Sequence, residues 1–247
     1  MRRRDNRSIF SGGLILAGSI ASHAALGACA PDALGTSRTM VLKREAGAWG
    51  TAQYHALPLE PHEVVITFDD GPRPESTPQV LKALRDQCVR ATFFMNGDAL
   101  AANLGLGRSV HAAGHSVGMH GYHHSHFAAL PEMAQLSDLH DMQAIFRQAF
   151  GNDAPAYRFP FLEETPTLMA TLKAQRIAIM SVDVGIDDWL PDQTPRILAD
   201  RLMERLTAKG GGILLFHDAQ DQTAQALPLL FKTLKERGYS VVHLDWE

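Results

Sequence analysis

The chain has 247 residues, 45% of them apolar and 20% charged, the ordinary composition of a soluble globular protein. That length fits one large domain or two small ones, and a (β/α) barrel of this size is common as one domain. The formal charge of −4 with histidine neutral leaves no basic footprint, so no nucleic acid is expected as a partner.

The N-terminus has the order of an export signal. Arg2, Arg3, Arg4 and Arg7 form a basic head, an apolar stretch follows over 9–21, and small residues continue to Ala30. That stretch is too short and too rich in Gly and Ser for a good membrane span; a buried N-terminal helix is the competing reading. The predicted division is a signal peptide over 1–30, a linker or N-terminal extension over 31–58, and the main domain over 59–247. Leu26-Gly27-Ala28-Cys29 resembles a bacterial lipobox, which would lipidate Cys29 and make it the only link to a membrane; ordinary cleavage at Ala28-Cys29-Ala30, with Pro31 after the cut, is the alternative. The expected location is the periplasm or cell envelope. The only other cysteine is Cys88. With Cys29 removed or modified, Cys88 is left alone and no internal disulfide is expected.

Beyond the extension, short apolar runs at 64–68, 91–95, 116–119, 156–159, 177–182, 212–216 and 240–244 read as buried strands. Helical patterns lie between them, over 77–87, 99–112, 131–149, 165–175, 194–209 and 223–236. Thr165-Pro166 and Thr194-Pro195 are start signals, Gly151, Gly210 and Gly238 are stops, and Pro228 is a candidate kink. Seven strands alternating with six helices predict parallel βαβ units. The predicted class is α/β, a (β/α) barrel short of eight units, with a doubly wound open sheet as the competitor.

In either architecture the active site lies at the C-terminal ends of the strands. Those ends carry Asp69 and Asp70, then His120 with His124, then Arg158, then Asp183 with Asp187, Asp188 and Trp189 beyond, then His217 and Asp218. Asp69 and Asp70 are adjacent carboxylates that repel unless a cation separates their roles; Asp-Gly-Pro also makes an ordinary turn. His120 and His124, four apart, can present two imidazoles to one ion. Two His and one carboxylate leave positions open for water and substrate, which suits hydrolysis. His123 and His126 are nearby extras whose default is an exposed loop. A buried Arg158 needs a carboxylate partner, and Asp69 is the candidate. His217, at the tip of an apolar strand, is placed for general acid work, with a core histidine as the bland alternative.

Together TFDDGP, HGYHH, RFPF, DDW and LFH, in this order over about 62–245, resemble the motifs of the polysaccharide deacetylases of the family-four carbohydrate esterases. The resemblance implies a distorted, incomplete (β/α) barrel of about seven parallel strands. It implies a divalent metal, zinc first, held by Asp70, His120 and His124, activating a water against an acetyl group. It assigns Asp69 as base, Arg158 as the group that orients it, His217 as acid and Asp188 as the partner of that histidine. Phe161 would supply an oxyanion N–H, and Trp189 and Leu215 the walls of the acetyl pocket. The implied substrate is an N-acetylated poly- or oligosaccharide of N-acetylglucosamine type. An O-acetyl xylan-type esterase and a catalytically silent metal-containing sugar binder are the alternatives.

The chain departs from the family pattern at Ser125, where Pro is usual, and at Leu162, where Gly is usual. The fourth motif is longer, with Asp188 five positions on from Asp183. These changes surround the groove rather than the metal site.

Overall fold

A computed structural model of the chain describes residues 29–44 and 47–247. Its strands are β1 (Thr36–Leu42), β2 (Ala48–Trp49), β3 (Glu63–Asp69), β4 (Thr92–Met95), β5 (Ser116–Met119), β6 (Ala156–Tyr157), β7 (Ala178–Met180), β8 (Val184–Gly185), β9 (Gly212–His217) and β10 (Ser240–Trp246). Its helices are α1 (Thr77–Asp86), α2 (Gly97–Ala102), α3 (Leu104–Ala112), α4 (Glu132–Phe150), α5 (Pro166–Ala174), α6 (Pro195–Lys209) and α7 (Asp221–Glu236). Thr165 and Thr194 cap α5 and α6 with their side-chain oxygens, and left-handed Gly151 and Gly210 close α4 and α6.

The sheet runs β1-β10-β3-β4-β5-β6-β7-β2, with β9 also on β3 and β8 on β9, and every pairing is parallel. β3 is central. β9 lies along it from Val64 to Asp69, while β10 meets its start and β4 its end. Among the described residues no pairing joins β8 to β7 or β2, so the barrel is distorted and incomplete, as the resemblance implies.

Strand periodicity splits the core in two. Val64, Ile66 and Phe68 of β3 face the helices, as do Phe93, Tyr157, Leu214 and Phe216. The alternate residues Val65, Phe94, Ala156, Ala178, Met180 and Ile213 pack as a separate inner cluster. Continuing the inner row by twos along β3 leads from Val65 through Thr67 to Asp69, and along β9 from Ile213 through Leu215 to His217. The polar groups at the rim are therefore extensions of an apolar inner row.

Four features differ from expectation. The segment placed in a linker supplies β1 and β2, paired with β10 and β7. β1 is an edge strand burying only Met40 and Leu42, so its apolar signal is faint. The fifth predicted strand, 177–182, ends at Met180, and the chain turns into the short β8. The helix over 99–112 is two helices broken at Asn103, whose φ of −135° is not helical. Finally, Cys29 and Cys88 form a disulfide, which overturns the expectation of a solitary Cys88. Pairing across 59 positions leaves no local spacing signature, and a sulfur bonded to Cys88 cannot also carry a thioether lipid. The proposed export signal otherwise falls on 1–28, outside the described residues. α7 runs through Pro228 without a break. No helix among the described residues is long and apolar enough to cross a membrane.

Candidate active site

The rim of the barrel gathers side chains from five strand ends around one cavity of about 420 Å³, lined by Asp69, Asp70, His120, His124, Phe159, Phe161, Leu162, Trp189, Leu215 and His217. A second cavity of about 430 Å³ lies toward the start of β9, between Thr51, Leu57 and Gly210 to Gly212; it is lined by Asp183 but by none of the residues to which the resemblance assigns a role.

Asp70, His120 and His124 each offer one ligand atom, all within 4.8 Å of one another. His120 Nε2 and His124 Nε2 stand 3.5 and 3.3 Å from Asp70 Oδ1. The Nδ1 of His120 lies 2.8 Å from the Arg158 carbonyl. An N–H donated there leaves the Nε2 lone pair facing Asp70, the arrangement that metal-binding histidines use. Burial also keeps this imidazole neutral, pushed down to about 3 despite the Asp70 charge. A donor set of two imidazoles and one carboxylate fits a borderline divalent ion with open positions, so the residues present fit a metal.

Beside this set, Asp69 and Arg158 form a buried ion pair at 2.7 Å. The guanidinium is fully buried: it also donates to Thr67 Oγ1, to the Met180 carbonyl and to the Ser181 carbonyl, and it lies 4.2 Å over the Phe94 ring. Burial pushes the Asp69 carboxyl upward and Arg158 pulls it back. Oδ2 of Asp69, on the other side, lies 3.6 Å from His120 Nε2.

Across the cavity, His217 Nδ1 meets Asp188 Oδ1 at 2.8 Å. Asp188 is wholly buried, and its Oδ2 accepts from the His217 backbone N–H and from Thr223 Oγ1. Burial opposes a charged His217, but the Asp188 bond and charge, with Asp69 and Asp70, outweigh it and lift the imidazole to about 9. Its Nε2 is 3.9 Å from Asp70 Oδ2. Trp189, half exposed, meets His217 edge-on.

Several rim residues occupy the left-handed region without being glycine: Asp70 at φ 76°, His124 at 51°, Phe161 at 55° and Leu162 at 57°. Each costs about 1–2 kcal/mol relative to ordinary backbone, and such positions persist where surrounding contacts over-determine them.

The structure brings together all ten predicted site residues around this rim. It leaves Asp183 out, which instead accepts from the Thr51 and Ile213 backbone N–H groups. Asp187 pairs with Arg205 and Arg201. His123 pairs with Asp98, and His126 with Glu163. Other participants were given no role from sequence. Asp138, inside α4, accepts from the Tyr122 and His123 backbone N–H groups and so fixes the loop carrying His124. Asp218 is buried beneath Gly71, where any Cβ would collide with its carboxylate. Burial pushes the Asp218 carboxyl up to about 7. Its place next to His217 was the only visible signal. Gln53, from the supposed linker, donates to the Leu162 carbonyl.

A parallel barrel with this rim defines a hydrolase-type site on an α/β scaffold. The chain belongs to the polysaccharide deacetylase family, the family-four carbohydrate esterases, whose model, "Polysaccharide deacetylase", matches residues 57–179. It is similar to a chitin deacetylase of Colletotrichum lindemuthianum, 32% identical, covering 87% of this chain and 91% of the relative. It is also similar to a peptidoglycan-N-acetylglucosamine deacetylase of Bacillus cereus, 30% identical, covering 82% and 95%. Among solved structures, a peptidoglycan deacetylase of Bdellovibrio bacteriovorus superposes with a TM-score of 0.72 at 31% identity, covering 85% of this chain and 58% of that one. The chain is thus a polysaccharide deacetylase-type enzyme by family.

Proposed function

We propose that this enzyme is an exported, divalent-metal-dependent deacetylase that hydrolyses N-acetyl groups of an N-acetylglucosamine-type poly- or oligosaccharide. The observation that carries the reading is the presence of two opposed ion pairs, Arg158–Asp69 and Asp188–His217, on either side of Asp70, His120 and His124. Binding a sugar would not require both.

When bound by those three residues, a divalent ion, zinc first, supplies Lewis-acid polarisation of the carbonyl and a more acidic water. Asp69 takes the proton of the attacking water, and Arg158 fixes which oxygen it presents. A new C–O bond forms on the acetyl carbon as its oxygen takes negative charge, which the Phe161 N–H helps to hold. His217 gives its proton to the sugar nitrogen as the C–N bond breaks, leaving acetate and a free amine. Asp188 holds the His217 ring in the orientation and protonation that this step needs. Leu215 and Trp189 wall the acetyl methyl from water.

Export is supported by the basic and apolar N-terminus and by the Cys29–Cys88 disulfide, since such bonds persist in oxidising compartments. Retention of Cys29 as a disulfide partner favours a mature chain without a lipid on that residue.

The test is acetate release from N-acetylglucosamine oligomers by the zinc-loaded enzyme, with and without chelator. Metal-dependent release with an equal yield of free amine supports the reading. Release only from acetylated xylan would replace it with the ester reading, and no release from protein that holds metal would leave a silent binder. Asp70→Ala and His120→Ala are expected to lose bound metal; full occupancy in both would reject the ligand set.

A further inference from the structure

The loop between β6 and α5 stands in a conformation its own sequence disfavours. Phe161 and Leu162 are consecutive left-handed residues, and neither is glycine. Unheld, such a pair relaxes to negative φ and carries the Phe161 ring and amide away from the rim.

Two contacts oppose that relaxation from opposite sides. The His126 ring lies flat on the Phe161 ring, with centroids 3.8 Å apart and planes 9° from parallel. His126 Nδ1 is 3.0 Å from Glu163, on the same loop. Phe161 in turn meets the ring of His124 edge-on at 4.4 Å. On the other side, Gln53 Nε2 donates to the Leu162 carbonyl at 2.8 Å, and Gln53 Oε1 accepts from Ser181 Oγ at 2.8 Å. The Ser181 carbonyl accepts from Arg158. Tyr54, the next residue, donates to the Glu164 carboxylate. The loop is therefore pinned between the strand end carrying His124 and the segment that follows β2, and that segment reaches Arg158 through one further residue.

We propose that Gln53 and His126 are positioning residues for the deacetylation described above, holding Phe161 and Leu162 left-handed so that the Phe161 amide and ring stay at the rim. This rests on the deacetylase reading for its kinetic consequence, but the conformational claim can be read without turnover.

The experiment compares Gln53→Ala, His126→Ala and His126→Phe with the parent enzyme, and repeats Gln53→Ala in a Leu162→Gly background. Each is measured zinc-loaded for kcat and KM on N-acetylglucosamine oligomers, and for amide hydrogen exchange at Leu162 and Glu163. Those amides donate to Phe159 and Pro160 carbonyls at 3.0 Å. Both alanine variants are expected to exchange faster there and to lose roughly tenfold or more in kcat, with KM and zinc content little changed, as for an interaction realised in the transition state. His126→Phe restores most of both, because it keeps the stack without the Glu163 pair. Glycine adopts the left-handed region freely, so Gln53→Ala costs less in the Leu162→Gly background. Unchanged exchange in both alanine variants overturns the proposal, whatever kcat does. An equal penalty for Gln53→Ala in both backgrounds also overturns it. If the parent enzyme releases no acetate while exchange responds as expected, the deacetylase reading falls and the clamp stands.

Discussion

The two ends of the barrel's inner row obey different rules. Toward the strand starts, Val65, Ala156, Ala178 and Ile213 fill the interior with apolar volume, and the charged groups nearby, such as Glu63 with Arg38, lie beside this cluster rather than in it. Toward the strand ends, the same rows continue into Asp69, Arg158 and His217, buried ionisable groups that must be paired. Left-handed residues occur at both ends, His62 at φ 65° just before β3 among them, but their settings differ. At the rim, Asp70, His124, Phe161 and Leu162 are left-handed within the site. Away from it, left-handed Cys88 and Arg176 just follow the ends of α1 and α5, where such a residue closes a helix. One end is built for packing; the other spends stability to hold charged groups in place.

The largest expected difference comes from matched substitutions at the two ends. Asp69→Asn changes almost no volume, yet it removes the proposed base and should lower kcat by about 10²–10⁴-fold with metal retained. Ile213→Val removes a methylene from the apolar end and should cost about 0.5–1.5 kcal/mol of stability with kcat unchanged. Steady-state rates, metal content and thermal denaturation of the two variants read the contrast. Near-normal turnover in Asp69→Asn would erase it.

The disulfide sharpens the comparison from the stability side. Cys88 follows α1, and the backbone around it bonds to Gly35 and Thr36 at the entrance to β1, far from the rim. Cys88→Ser should lower stability by about 2–4 kcal/mol, because the bond closes a long loop in the unfolded chain. The folded fraction should keep its kcat. A drop in kcat at full folding would show that the strand starts are coupled to the site.

Much of this division was legible in the sequence. The inner row announces itself by period two, and rim residues such as Asp69 and His217 stand where apolar strands stop, so both the barrel and the convergence follow from pattern. Partner choice was readable where chemistry forces it: a buried Arg158 requires an acid. The remainder depends on long-range geometry. β1 buries two residues and gains its place through pairing with β10, which no local pattern reveals. Gln53 and Asp138 act through single hydrogen bonds to distant backbone, and an isolated Gln or a mid-helix Asp has no distinguishing spacing. Cys29–Cys88 was missed because the signal reading removed one partner from consideration.

The smallest expected effect lies at the strand starts, where two buried histidines stand in for the charged groups of the rim. His115 accepts the Ala91 backbone N–H on Nδ1, and His243 Nε2 faces Ser116 Oγ at 3.1 Å. Burial pushes both down to about 4; their mutual repulsion and Arg90 add to this for His115, while Arg90 adds and Asp245 opposes for His243. Because the folded pKa lies below the ordinary 6.5, the unfolded chain binds more protons between those values. Each histidine's contribution is therefore intact above pH 6.5 and is lost as pH falls toward about 4. Over the first pH unit of that fall the loss is about 1 kcal/mol per histidine. His243→Gln removes one titrating group, so its stability should decline less steeply than the parent's across this window, as read by urea denaturation at each pH. Parallel curves would mean that His243 already titrates normally in the folded enzyme, and that the apolar end tolerates charge after all.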